Sequence, residues 1–65
     1  MPRASTARAR LVASAARRLH ASSYAAASVE ELCADADVQK GSFYYFFPSK
    51  RDLALAAIDD QWAKT

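Results

Sequence analysis

The stretch that decides the fold is DVQKGSFYYFFPSK, residues 37–50. Its apolar aromatic residues recur three and four positions apart, which predicts a short helix over about residues 39–47 with one inward face. The inward residues are Phe43, Phe46 and Phe47. Asp37 tolerates the left-handed backbone that a sharp turn between helices requires. Pro48 disfavours a helical conformation at the residue before it, so the helix is expected to end sharply.

The residues before this stretch predict a second short helix. Ser28-Val-Glu-Glu31 is a capping box, in which the Ser28 hydroxyl accepts from the Glu31 amide and the Glu31 carboxylate reaches back. The helix then runs to about Ala36, and Val38 is expected to fill the angle between the two helices. Two short helices joined by a tight turn, the second with polar and aromatic residues outward, form a helix-turn-helix.

Longer helices are predicted on both sides. The first runs from about Thr6 to His20, with Ser5 or Thr6 as its N-cap. Ser49-Lys-Arg-Asp52 caps a fourth helix that has no stop signal before the last residue. The predicted fold class is therefore all-α, a homeodomain-like three-helix bundle followed by the start of a fourth helix. The expected core comprises Leu11, Ala15, Leu19, Val29, Leu32, Val38, Phe43, Phe47 and Leu53, with Tyr24 tucked against it and Trp62 exposed.

Composition excludes several classes of protein. The chain has 65 residues, 52% of them hydrophobic, with sixteen alanines and one glycine, which disfavours turn-rich β folds. A single cysteine cannot form an internal disulfide. No membrane span or signal peptide is recognisable, so a cytoplasmic protein is expected. No nucleophile–base pair or metal-ligand cluster suggests an enzyme, and no cofactor or metal is expected.

Charge is distributed unevenly along the chain. Residues 1–20 carry five arginines and no acid, residues 28–37 carry four acids, and residues 38–51 carry three cations, within a net charge of +2. Two basic blocks around an acidic one suit a domain that shows one face to a polyanion. Solvated surface charge is the alternative interpretation, and the charge pattern alone leaves both open.

Polar groups cluster around the predicted helix-turn-helix. Gly41 lies in the first turn of the second helix, where it costs up to about 1 kcal/mol against alanine. That cost is explained if the backbone must approach another molecule closely, although the glycine could also be incidental. Hydroxyls, ammonium groups and helix N-termini are the groups that bind phosphate oxygens. The side chains of this kind are Ser28, Tyr44, Tyr45 and Lys50.

The segments 28–32 and 37–50 together resemble the DNA-binding domain of TetR-family transcriptional repressors, and the resemblance covers about residues 7–60. It implies that the second helix of the motif enters the major groove, and that phosphates are bound by flanking groups. The implied base-contacting residues are Gln39, Lys40, Gly41, Ser42 and Tyr44. The implied phosphate-contacting residues are Ser28, Tyr45 and Lys50, and Arg8 or Arg10 would reach the backbone or the minor groove.

The resemblance also implies an organisation for the whole protein. A disordered arm is expected at residues 1–5, the helix-turn-helix domain at 6–49, and at 50–65 the start of a linker helix toward a ligand-binding domain that the chain lacks. Family members bind palindromic operators as homodimers, and a small-molecule inducer in the C-terminal domain releases the DNA. On this interpretation the chain is a truncated regulator whose partner is double-stranded DNA, with no membrane role.

Three positions depart from the family pattern. Asp37 stands where glycine is usual, Ser23 replaces a glycine before the loop tyrosine, and Phe46 replaces a polar residue. An alternative function is a helical protein-interaction module that uses the Tyr/Phe-rich patch, because aromatic residues dominate interface hot spots. A membrane-surface role for the first helix is weaker, since its apolar face is mostly alanine. Salt dependence separates DNA binding from protein binding.

Overall fold

The computed structural model describes the backbone of residues 3–64 and the side chains of residues 7–60. Within that part of the chain, the regular structure consists of four α-helices. They are α1 (Arg3–His20), α2 (Val29–Ala36), α3 (Lys40–Phe46) and α4 (Lys50–Lys64). Helix α1 packs most extensively on α4 and also on α2 and α3, while α2 packs on α3. The predicted all-α helix-turn-helix architecture is confirmed.

Helix α1 starts earlier than predicted. It begins at Arg3, so Ser5 and Thr6 lie inside the helix and are not its N-cap. Residues 3–5 of the expected N-terminal arm are helical, and residues 1–2 lie outside the described part of the chain. The overlooked signal is Pro2, since proline is favoured at the beginning of helices.

Helices α1 and α2 end in the same way, each with a left-handed residue that is not glycine. Ser22 and Asp37 both have φ of 57°. After α2, the Val38 amide donates to Cys33 O at 3.0 Å and the Asp37 amide donates to Ala34 O at 3.2 Å. This is the paired-bond pattern of a Schellman motif, which satisfies carbonyls at the end of the helix. The left-handed turn predicted at Asp37 is confirmed.

The helix-turn-helix has the boundaries that its capping residues specify. Ser28 and Glu31 form the complete capping box at the start of α2, as predicted. Helix α3 is slightly shorter than expected: Gln39 precedes it with extended backbone, and Phe47 follows it at φ −134° and ψ 115°. Pro48 accounts for the extended Phe47. The Ser49 hydroxyl accepts from the Asp52 amide at the start of α4.

The core lies where the four helices meet. The predicted residues Leu11, Ala15, Leu32, Phe43, Phe47 and Leu53 are buried, as is Tyr24. The others, Leu19, Val29 and Val38, are only partly buried but pack against the same cluster, as does Phe46. Sequence reasoning missed the full burial of Ser14 in α1. The side chain of Trp62 lies outside the described residues.

Candidate nucleic-acid interface

One face of helix α3 is buried in the core, and the opposite face is exposed. Phe43 is fully buried and Phe47 is 4% exposed, whereas Tyr44 and Tyr45 are 49% and 80% exposed. A seven-residue helix is too short to be stable alone in water, so the buried phenylalanines fix its position. The consequence is a helical platform, anchored by its buried face, with an outward surface of polar and aromatic groups.

The glycine of this platform faces open space. A Cβ added to Gly41 would meet no atom within 4 Å, so nothing inside the domain requires a glycine there. Gly41 has no positive φ that would require one either. Gln39 and Lys40 beside it are exposed, and Ser42 is half-buried. The start of α3 therefore offers bare backbone between polar side chains.

Lys40 is paired with an acid of the preceding helix. Its Nζ lies 2.7 Å from Oε2 of Glu30, and the two side chains are 52% and 66% exposed. The hydrogen bond to this carboxylate raises the pKa of Lys40. The same bond lowers the pKa of Glu30. Sequence reasoning missed this pair, which joins the two helices of the motif across the turn.

Ser28 and Lys50 come together at the edge of the motif. The Ser28 hydroxyl accepts from the Glu31 amide at 3.1 Å, and Glu31 Oε1 accepts from the Ser28 amide at 2.9 Å. The Lys50 ammonium donates to the carbonyl of Ala25 at 3.1 Å and to that of Ala27, the residue directly before Ser28. Two of the predicted phosphate-contacting residues are therefore neighbours, one at the start of α2 and one at the start of α4.

Lys50 also has a structural environment that its sequence position does not reveal. Its Nζ lies 5.2 Å from the centre of the Tyr24 ring. The Tyr24 hydroxyl donates in turn to the backbone carbonyl of Lys50. Burial raises the pKa of Tyr24 to about 12, so the ring is neutral at physiological pH. Lys50 and Tyr24 together fasten the loop after α1 to the start of α4.

The remaining candidates are spread over the surface. Tyr45 stands on the outward side of α3, with its ring edge-on to Phe46 at 4.9 Å. Arg8 lies with its guanidinium 5.5 Å from the centre of the Phe47 ring, which brings it next to the end of α3. Arg10 instead lines a hollow of about 250 Å³ with Arg17 and Asp35. Arg8 thus lies beside the end of α3, whereas the hollow at Arg10 lies between α1 and the end of α2.

Other kinds of site find no support in the described residues. Among them, no group of three or more His, Cys, Asp or Glu side chains is placed to hold a metal ion. Cys33 is buried in the core, where burial raises the pKa of its thiol and makes a thiolate nucleophile unfavourable. None of the described helices is both long enough and apolar enough to cross a membrane.

Comparison with known proteins identifies the family of this chain. The family model for bacterial regulatory proteins of the tetR family matches residues 11–57, which is more than half of the chain. This chain belongs to the TetR family. The matched region includes the whole helix-turn-helix and the start of α4. The resemblance seen in the sequence is confirmed, and the chain carries a helix-turn-helix DNA-binding domain of the TetR type.

One named relative of this TetR-family chain is a longer protein. This chain is similar to the HTH-type transcriptional regulator EthR of Mycolicibacterium smegmatis, with 37% identity over 49 residues. The match covers 75% of this chain and 23% of the relative. The comparison with solved structures found no significant match.

Proposed function

We propose that this TetR-family domain binds a palindromic operator as a transcriptional repressor, with α3 in the major groove. The observation that carries the proposal is the two-sided construction of α3. Phe43 and Phe47 anchor the helix, while Lys40, Gly41 and Tyr44 are exposed. A recognition helix that contacts bases with its N-terminal residues requires this arrangement.

The proposed base contacts come from the exposed start of α3. Lysine and arginine pair with the O6 and N7 acceptors of guanine, so Lys40 is the proposed guanine reader. Gly41 lets the backbone approach the groove, because it lacks the Cβ that would otherwise point into it. The other proposed base contacts, by position on α3, are Gln39, Ser42 and Tyr44.

The proposed phosphate contacts surround this surface. Ser28 and Lys50 lie together at one edge, and the amides at the start of α2 add a partial positive charge there. Tyr45 offers an exposed hydroxyl on α3, and Arg8 adds a guanidinium near the end of that helix. Phosphate contacts set the register of the helix in the groove and carry no sequence information.

We expect a regulator that carries this domain to act as a homodimer in the bacterial cytoplasm. Two recognition helices on a palindrome must be spaced by about one turn of DNA, which a dimer interface provides. A small-molecule inducer that releases the DNA is the expected signal. These expectations come from the family and not from contacts within this chain. The chain spans 23% of the length of its named relative.

The test is selection of duplexes from a random library by the purified chain, followed by binding measurements on the selected sequence. Lys40→Ala should weaken binding to it by about 5- to 150-fold and relax the preference at one base per half-site. Arg17→Ala serves as the control, because it removes a charge from α1 at a position far from α3 in the sequence. It should change binding to all duplexes equally. Equal losses on all sequences for Lys40→Ala would contradict base reading by this residue.

A protein-interaction module is the second candidate, because Tyr45 is 80% exposed and stands beside the half-exposed Tyr44. The same measurements separate it from DNA binding. Binding through phosphates weakens steeply as salt rises over about 50–200 mM, because counterions are released from the DNA. Failure to enrich any duplex, both by the chain and by its fusion to an unrelated dimerising domain, would contradict the proposed DNA-binding function.

A further inference from the structure

The ion pair between Lys40 and Glu30 lies at the start of α3, within the proposed DNA surface. Its atoms are 2.7 Å apart, and both side chains are more than half exposed. An exposed ion pair contributes little to folding stability, so stability alone does not explain its place. The pair ties the first residue of α3 to the first turn of α2.

The geometry of the pair leaves Lys40 with donors to spare. An ammonium group has three N–H donors, and one of them is directed to Glu30 Oε2. The two others match the two acceptors, O6 and N7, that guanine shows in the major groove.

We propose that Glu30 is a positioning residue that sets the DNA sequence specificity of the domain by holding the Lys40 ammonium toward the base edge. The proposal rests on the proposed function and extends it to a residue outside the recognition helix. Held by the carboxylate, Lys40 is restrained from contacting phosphates on unrelated DNA. On the correct sequence it keeps Glu30 and donates its remaining N–H groups to the base.

The experiment compares Glu30→Gln with Asp35→Asn in the 65-residue chain. Asp35 forms an equally short exposed ion pair, 2.7 Å from Arg18, and neither residue belongs to α3. Both substitutions remove one negative charge and free one cation, so they match in net charge. Binding to the selected duplex and to a random duplex is measured at several salt concentrations, after thermal melts establish that each variant is folded.

Glu30→Gln should tighten binding to the random duplex about two- to fivefold and steepen its salt slope by about one. Binding to the selected duplex should not improve beyond the gain that Asp35→Asn shows. The ratio of the two affinities therefore falls with Glu30→Gln and is unchanged with Asp35→Asn. Equal ratios for the two variants would overturn the proposal, since the effect would then be one of net charge.

A double-mutant cycle shows whether Glu30 acts through Lys40. In a Lys40→Gln background, Glu30→Gln should leave the affinity ratio unchanged, because the group that it positions is gone. A ratio that still falls in this background overturns the proposal. The outcome is separable from the proposed function. An unsubstituted chain that binds neither duplex, even when fused to an unrelated dimerising domain, contradicts DNA binding itself, whereas selective binding that is insensitive to Glu30 contradicts only this inference.

Discussion

Replacing Lys50 with methionine removes the ammonium group but keeps an apolar side chain of similar length. The substitution deletes the two hydrogen bonds to the carbonyls of Ala25 and Ala27 and the contact with the Tyr24 ring. It leaves the Tyr24 hydroxyl bonded to the backbone carbonyl at position 50, because no side-chain atom of that residue takes part. The change therefore isolates the contribution of the charge.

The magnitude follows from these contacts. A hydrogen bond from a charged group contributes about 1.5–3 kcal/mol when well ordered, and an exposed cation–π contact about 0.5–1 kcal/mol. Water can replace part of this, since Lys50 is half-buried and the Ala25 carbonyl belongs to an exposed residue. We expect Lys50→Met to reduce the free energy of unfolding by about 2 kcal/mol. For a domain of this size, that corresponds to a fall in Tm of about 8–16 °C.

Thermal unfolding followed by circular dichroism measures the effect. The control is Arg51→Met, which removes the same charge from the next residue, an exposed position in the same turn of α4. Exposed substitutions of this kind change stability by about 0.5 kcal/mol or less. A Lys50→Met variant that melts like Arg51→Met would refute the structural role of the ammonium group. Lys50 would then be only the phosphate contact that its position in the family pattern predicts.

Four further predictions concern single residues. Phe43→Ala should cost about 3–5 kcal/mol because the ring is fully buried, and a parent-like urea midpoint would show that the inward face of α3 is misassigned. Asp37→Gly should stabilise the domain by about 0.5–1 kcal/mol by relieving the left-handed conformation, whereas Asp37→Ala should not, as paired melts would show. Gly41→Ala should stabilise α3 by up to about 1 kcal/mol yet weaken DNA binding; unchanged binding would mean that the glycine is incidental. The pKa of Tyr24 is raised from 10 to about 12, so the stability that its neutral form contributes is complete below pH 10 and is lost as pH rises toward 12. Melts across this range should show that loss in the parent and a shallower one in Tyr24→Phe; identical slopes would contradict it.

The parts of the fold that were predictable are those set by local signals. The capping box at Ser28, the left-handed Asp37 and the stop at Pro48 each depend on residues within a few positions, and all three are present. The predicted start of α1 was wrong because Ser5 and Thr6 are also good N-caps, which compete with the signal of Pro2. Local patterns rank such alternatives poorly when several occur within one turn.

The contacts that the sequence did not reveal are long-range or lie outside helical spacing. Lys50 donates to backbone carbonyls 25 and 23 residues away. Every residue has a backbone carbonyl, so no residue type in the sequence marks these acceptors. The pair between Glu30 and Lys40 spans ten residues across a turn, so neither the three- nor the four-residue helical spacing points to it. The assignment of individual residues to bases and phosphates stays a prediction.

The interactions that stabilise the domain also determine where its proposed DNA contacts lie. The start of α2 and the start of α4 are brought together because the Lys50 ammonium binds the carbonyl immediately before Ser28. Burial of Phe43 then fixes the position of α3 relative to both, because a helix this short has too few backbone hydrogen bonds to be stable alone. We expect a loss at either anchor to shift the proposed phosphate-contacting edge relative to the proposed base-contacting helix. Misplacement of about 1 Å in such a constellation is enough to impair recognition, so on the proposed function Lys50 and Phe43 should affect binding even where they touch no base.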